Sequence, residues 1–198
     1  MANPPGVVCF EGEWEGFESP VTIRPSLELL ENLNAIRFVH RNATTKDELR
    51  HNLDRWLSSR KQGYDFCYLA YHGSPGELDL VNSERADEDM EGLALEDLAD
   101  MLGTRAEGKI LHFGSCAVLS VPDDRLVDFC RRTKVRAISG YTRQIDWVDS
   151  AAFEIIAIET LCTAKKLRPA YNRLYGDHPV LAKRLGFKMA TAKWVDDH

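Results

Sequence analysis

The chain has 198 residues and a net charge of −6, from 25 Lys and Arg against 31 Asp and Glu. That balance excludes the basic footprint of sequence-independent nucleic-acid binding. Hydrophobic residues at 44% and charged residues at 28% exclude disordered and low-complexity classes, and the length predicts a single domain over residues 1–198.

In chain order, short apolar runs alternate with longer segments of helical period, the pattern of an α/β protein with a mostly parallel central sheet. Residues 6–10 (GVVCF) read as a first strand. Residues 26–34 follow as a helix, with Ser26 as N-cap and Leu27, Leu30 and Leu33 on one face. A second strand is expected at 36–40 (IRFVH). The helix over 45–59 opens on a capping box, Thr45 with Glu48, and buries Leu49, Leu53 and Trp56. The nearly unbroken apolar run 64–71 (YDFCYLAY) predicts a central strand covered on both faces. It stops at the turn His72-Gly73-Ser74-Pro75-Gly76. Residues 77–81 alternate like a hairpin arm on the sheet edge, and acidic residues 82–92 read as a solvated loop. Further elements are a helix at 95–102, a buried strand at 110–114 (ILHFG) and a helix at 122–133. They continue with a strand at 137–140 (AISG), a long helix at 147–164 and a short one at 179–185. The local excess of base from Lys165 to Lys193 reads as a solvated face.

Five cysteines (Cys9, Cys67, Cys116, Cys130 and Cys162) form an odd set without a C-x-x-C. This argues against a disulfide framework or zinc ribbon and predicts a reducing, cytoplasmic setting. Met1-Ala2-Asn3-Pro4 lacks the basic start of a secretory signal. No apolar run approaches the ~20 residues of a membrane helix, so no membrane association is expected. There is neither a G-x-G-x-x-G nor a Walker A loop, and no metal or organic cofactor is predicted.

Two strand ends carry candidate chemistry. One delivers His72-Gly73 and the other Ser115-Cys116, and ligands of open α/β sheets bind beyond the carboxyl ends of the strands. If the two strands are parallel neighbours, an imidazole and a thiol project into one crevice. That pair is what nucleophilic cysteine catalysis requires. The N–H groups of Gly73 and Cys116 are the candidate oxyanion donors. Against this, a cysteine at a strand end is commonly a small buried hydrophobe, as Cys9 and Cys67 read, and a His-Gly is commonly a turn. His112 reads as a core histidine, and Cys130 and Cys162 as packing residues.

A strand closing on His-Gly, a hairpin and a helix, then a strand closing on Cys 44 positions later resembles the caspase-like (clan CD) cysteine peptidases. The small single-chain bacterial type, akin to CHAT and metacaspase-like domains, is the nearest in pattern. The resemblance implies a three-layer caspase-like sandwich with helices on both faces of the sheet. It makes His72 and Cys116 the catalytic dyad of a cysteine endopeptidase acting on proteins or peptides. It also implies control by an upstream protease or signalling protein, in a bacterial defence or signalling pathway. Gly114-Ser115-Cys116-Ala117-Val118 stands where caspases have Q-A-C-x-G, so no glycine follows the nucleophile. Only one helix separates Cys116 from the next strand, unlike the cleaved linker of caspases.

By family geometry the substrate pocket would draw on Ser139, Tyr141, Asp146 and Asp149, and a carboxylate there would favour Arg or Lys at P1. Asp146 reads first as the N-cap of the following helix, and Arg143 in the pocket would instead favour Asp. Arg85 is the candidate activation cleavage point. Two alternatives stand beside the peptidase: a catalytically inactive relative serving as a binding or scaffold module, and another thiol enzyme such as an acyltransferase or amidase.

Overall fold

Successive side chains along a strand point to opposite faces, so a strand covered on both sides must be apolar throughout. The first strand, β1 (Gly6–Glu11), is buried at all six positions. Val7 and Cys9 enter the core on one side of the sheet, Val8 and Phe10 the core on the other.

The computed structural model describes residues 3–16, 18–58, 63–82 and 90–196. After β1 come α1 (Arg24–Asn32), β2 (Arg37–Asn42), α2 (Lys46–Ser58), β3 (Tyr64–Ala70), β4 (His72–Ser74), β5 (Glu77–Val81) and β6 (Met90–Ala94). The second half holds α3 (Leu95–Leu102), β7 (Ile110–Phe113), α4 (Asp123–Thr133), β8 (Ala137–Tyr141) and α5 (Trp147–Thr163). It ends with α6 (Leu167–Asp177), α7 (Pro179–Leu185), β9 (Phe187–Ala190) and β10 (Val195–Asp196).

Seven strands form the main sheet in the order β10-β9-β8-β7-β3-β1-β2. The run from β2 to β8 is parallel, and β9 and β10 add antiparallel partners. Helices α2, α3 and α4 pack on one face and α1, α5, α6 and α7 on the other. This is the three-layer α/β sandwich expected from the alternation of apolar runs. Among the described residues, no helix is long and apolar enough to cross a membrane.

Local chemistry explains the boundaries. Thr45 and Glu48 form the expected capping box: Thr45 Oγ1 accepts from Glu48 N at 3.3 Å, and Glu48 Oε2 accepts from Thr45 N at 3.1 Å. The start of α1 differs from expectation. It begins at Arg24, with Pro25 in its first turn and no side-chain cap, so Ser26 lies inside the helix. Proline fits that position because its missing N–H has no partner there anyway.

The hairpin also departs from expectation. Residues 77–81 do not join the edge of the main sheet but pair within a separate antiparallel sheet, β4-β5-β6. Met90–Ala94, expected partly as loop, is its third strand. The segment beyond residue 164 holds three further elements, α6, β9 and β10, so the expected solvated face is only part of it.

Candidate active site

The chain runs from β1 outward to β2, then crosses back to β3, so the order reverses between β1 and β3. A crevice at the carboxyl ends is the expected result. β3 and β7 lie side by side and parallel, Leu69 opposite Phe113, and Leu69 O accepts from Gly114 N at 2.9 Å. The next residues on the two strands are therefore neighbours. His72 and Cys116 both wall one pocket of about 110 Å³, together with Trp14, Tyr71, Trp147 and Glu154.

His72 is held by the loop after β1. Its Nε2 lies 2.5 Å from Trp14 O. A carbonyl only accepts, so Nε2 carries the proton and Nδ1 is left for chemistry. The Trp14 ring packs edge-on against His72 at 5.2 Å and against Trp147 at 4.7 Å. Trp14 is fixed in turn by Glu11, a buried residue at the end of β1. Glu11 accepts from Trp14 Nε1 at 2.6 Å, Thr22 Oγ1 at 2.7 Å, Ile23 N at 2.7 Å and His40 Nε2 at 2.5 Å. Burial pushes the Glu11 carboxyl up, but these hydrogen bonds outweigh it and hold it below the usual carboxylate range.

The turn after β7 is tight. A Cβ on Gly73 would lie 2.6 Å from Val118 Cγ2 and 3.1 Å from Cys116 O, so only glycine brings the histidine strand this close to the cysteine turn. Gly114 has a similar reason: its Cβ would meet the Tyr68 ring at 2.2 Å. Ala117, directly after Cys116, takes a left-handed φ of 54°. The turn is held by Ala117 N donating to Arg143 O at 2.9 Å and Leu119 N to Tyr141 O at 3.0 Å. Cys116 is partly exposed, whereas burial raises the thiols of Cys9, Cys67 and Cys162 and pushes Cys130 up to about 12.

Glu154, 2% exposed, lines the pocket from the middle of α5. Its Oε2 accepts from Tyr68 OH at 2.5 Å and its Oε1 from Tyr141 OH at 3.2 Å. His112 is fully buried beside it, with Nδ1 2.9 Å from Ser139 Oγ, which makes it the core histidine expected.

None of the residues expected to form the substrate pocket lines this one. Ser139 is buried against His112, and Tyr141 sits behind Glu154. Asp146 is the N-cap of α5, accepting from Val148 N and Asp149 N at 2.9 and 3.0 Å. Asp149 is paired with Arg184. The pocket carboxylate is Glu154 instead, and Arg85 lies outside the described residues. Trp14, Glu11 and Glu154 were not anticipated. The one visible signal was a single acid on the apolar face of α5, next to Phe153.

The layered arrangement and mostly parallel sheet match the caspase-like α/β fold of two solved structures. A secreted C11 cysteine protease from Bacteroides thetaiotaomicron, solved with an irreversible peptide inhibitor, superposes with a TM-score of 0.56 at 11% identity, over 96% of this chain and 66% of its own. The Drosophila initiator caspase Dronc superposes with a TM-score of 0.56 at 12% identity, over 97% of this chain and 81% of its own. At such identities the likeness is one of fold, and the chain spans just under two thirds of the C11 protease. By sequence, residues 6–190 match the family of unknown function DUF6642, and the chain belongs to that family. No curated protein sequence matches it.

Proposed function

We propose that this protein is a cysteine endopeptidase with His72 and Cys116 as its dyad. The observation that carries the reading is the convergence of His72 and Cys116 from adjacent parallel strands into one pocket, the imidazole turned by the Trp14 carbonyl so that Nδ1 is available. Cys116 Sγ attacks the carbonyl carbon of the scissile peptide, and the N–H groups of Cys116 and Gly73 receive the oxyanion. His72 hands the thiol's proton to the leaving amine as the C–N bond breaks, leaving a thioester on Cys116. It then takes a proton from water, which attacks the thioester and releases the acid. No step requires a metal or organic cofactor.

The test is hydrolysis of a fluorogenic peptide library by the wild type, Cys116→Ala and His72→Ala. Both variants should lose roughly 10³-fold or more in kcat/KM, because groups that act as a unit fail together. Turnover that survives in Cys116→Ala would remove the thiol from the mechanism. A wild type inert to every peptide would favour the binding-module alternative.

A further inference from the structure

His72 has a charged neighbour that the proposed mechanism leaves unused. In the small sheet β4 and β5 run antiparallel, with His72 directly opposite Asp79. Residues paired in this way project from the same face, with Cβ atoms roughly 4.5–5.5 Å apart. Leu78 and Leu80, on either side of Asp79, are buried in the core, so alternation turns Asp79 to the other face, where it is partly buried. β6 continues the row with Gly92 opposite Asp79, which adds no side chain to it.

The charges around this row favour an imidazolium. From β5, Asp79 stands across from the ring, and Glu77 lies two residues away on the same face. From the turn after β7 comes Cys116, and from α5 comes Glu154, which lines the same pocket. The loop after β1 presents the neutral Trp14 carbonyl, which accepts from Nε2. Burial pushes the Asp79 carboxyl up, His72 pulls it down, and the like charge of Glu77 adds to the rise. Attraction between two charges is mutual, so what the ring does for this carboxylate the carboxylate does for the ring.

We infer that Asp79 is a positioning residue for the dyad: across the β4–β5 ladder its carboxylate supplies the counter-charge for the imidazolium that His72 becomes on taking the Cys116 proton. The proton passes from Cys116 Sγ to His72 Nδ1, and no bond to Asp79 forms or breaks. Only the ring that has received the proton is positive, so the interaction favours the thiolate–imidazolium state over the neutral pair. Calling this a part of catalysis rests on the peptidase reading; the coupling of the two side chains does not.

The first test on the full chain needs no turnover. It is the rate of Cys116 alkylation by iodoacetamide, an uncharged reagent, followed by peptide mass spectrometry. Near pH 6 Asp79→Asn should label more slowly than the wild type by roughly threefold, the scale of a partly exposed ion pair, and Asp79→Glu should recover most of the rate. Near pH 9.5 the thiol ionises without help, and the three rates should converge. In a His72→Ala background Asp79→Asn should not slow the reaction at all, because the charge acts through the ring. Equal slowing in that background, or matching rates for wild type and Asp79→Asn at every pH, would overturn the inference. The salt dependence needs no variant. Screening within about 3 Å in 1 M NaCl should slow the wild type near pH 6 and leave it unchanged near pH 9.5, and a rate indifferent to salt near pH 6 would also overturn it.

The second test is kcat/KM for a cleaved peptide across the same pH range. Asp79→Asn should lower it near pH 6 by about the factor seen in alkylation, with KM little changed. Turnover that is the same in wild type and Asp79→Asn at every pH overturns the role of Asp79 and keeps the peptidase. The alkylation pattern without turnover of any peptide keeps the coupling of Asp79 to His72 and overturns the peptidase.

Discussion

Ala117 shows how much local strain the cysteine turn holds. An L-residue with φ at 54° brings its Cβ near its own carbonyl, at a cost of about 1–2 kcal/mol that glycine avoids. Glycine at this position regains that but loses roughly 0.4–1 kcal/mol through the greater freedom of its unfolded chain. Ala117→Gly should therefore be neutral or stabilising by up to about 1.6 kcal/mol in urea denaturation, and Ala117→Val should be clearly destabilising. A loss of stability in the glycine variant would show that the turn is not strained. The meeting of His72 and Cys116 in one pocket was legible at this scale because each follows an apolar run and stands in a run of small residues, His72-Gly73-Ser74 and Gly114-Ser115-Cys116. Glu154 was not, since its meaning depends on Tyr68, 86 positions away in sequence. No local pattern reports that meeting.

Among the elements, those with a strong period and a cap were read correctly from the sequence. α2 is the clearest case, its capping box closing on Thr45 and Glu48. Thr45→Ala should cost about 1 kcal/mol, measurable as a shift in the urea midpoint with unchanged slope. Thr45→Ser should recover most of it, and equal losses in both would mean that the hydroxyl is not the cap. The elements that escaped notice have physical reasons for doing so. β9 carries Lys188 within a buried strand, where its Nζ reaches Asp123 Oδ1 at 2.7 Å, and a lysine in a short run disguises a core strand. α6 holds Pro169 and Gly176, which read as breaks, yet proline in a first turn removes no helical hydrogen bond. The hairpin was assigned to the wrong sheet because alternation reports which residues are covered and not by what.

At the scale of the whole molecule, acid is the condition to which this fold is most exposed. The carboxyls of Glu11 and Glu48 are held below their usual range by hydrogen bonds that outweigh burial. A depressed carboxyl adds stability above its unfolded pKa of about 4.3 and loses it as pH falls through the folded value. Asp79 works in the opposite sense, since burial raises it and His72 offsets that only in part. The net expectation is a urea midpoint that drops between roughly pH 5 and pH 3. Glu11→Gln should lower the midpoint at pH 7, by about 2 kcal/mol for a buried charged acceptor with several donors, and flatten the profile below pH 5. A wild-type midpoint unchanged across that range would contradict the role given to these carboxylates. The same experiment probes His72 indirectly, because Glu11 anchors the tryptophan whose carbonyl holds that ring.

The division of the pocket between layers has an evolutionary consequence. His72 opens β4 directly after β3, and Cys116 sits in the turn after β7, whereas Trp147, Ser150 and Glu154 belong to a single helix packed on one face of the main sheet. Gly114 contributes no side chain of its own, the space beside it being filled by Tyr68. The proposed reactive pair and one wall of the pocket therefore lie on different pieces of backbone. If the chain is the proposed peptidase, substitutions along that helix face would change what the pocket accepts while leaving the segments that carry His72 and Cys116 untouched.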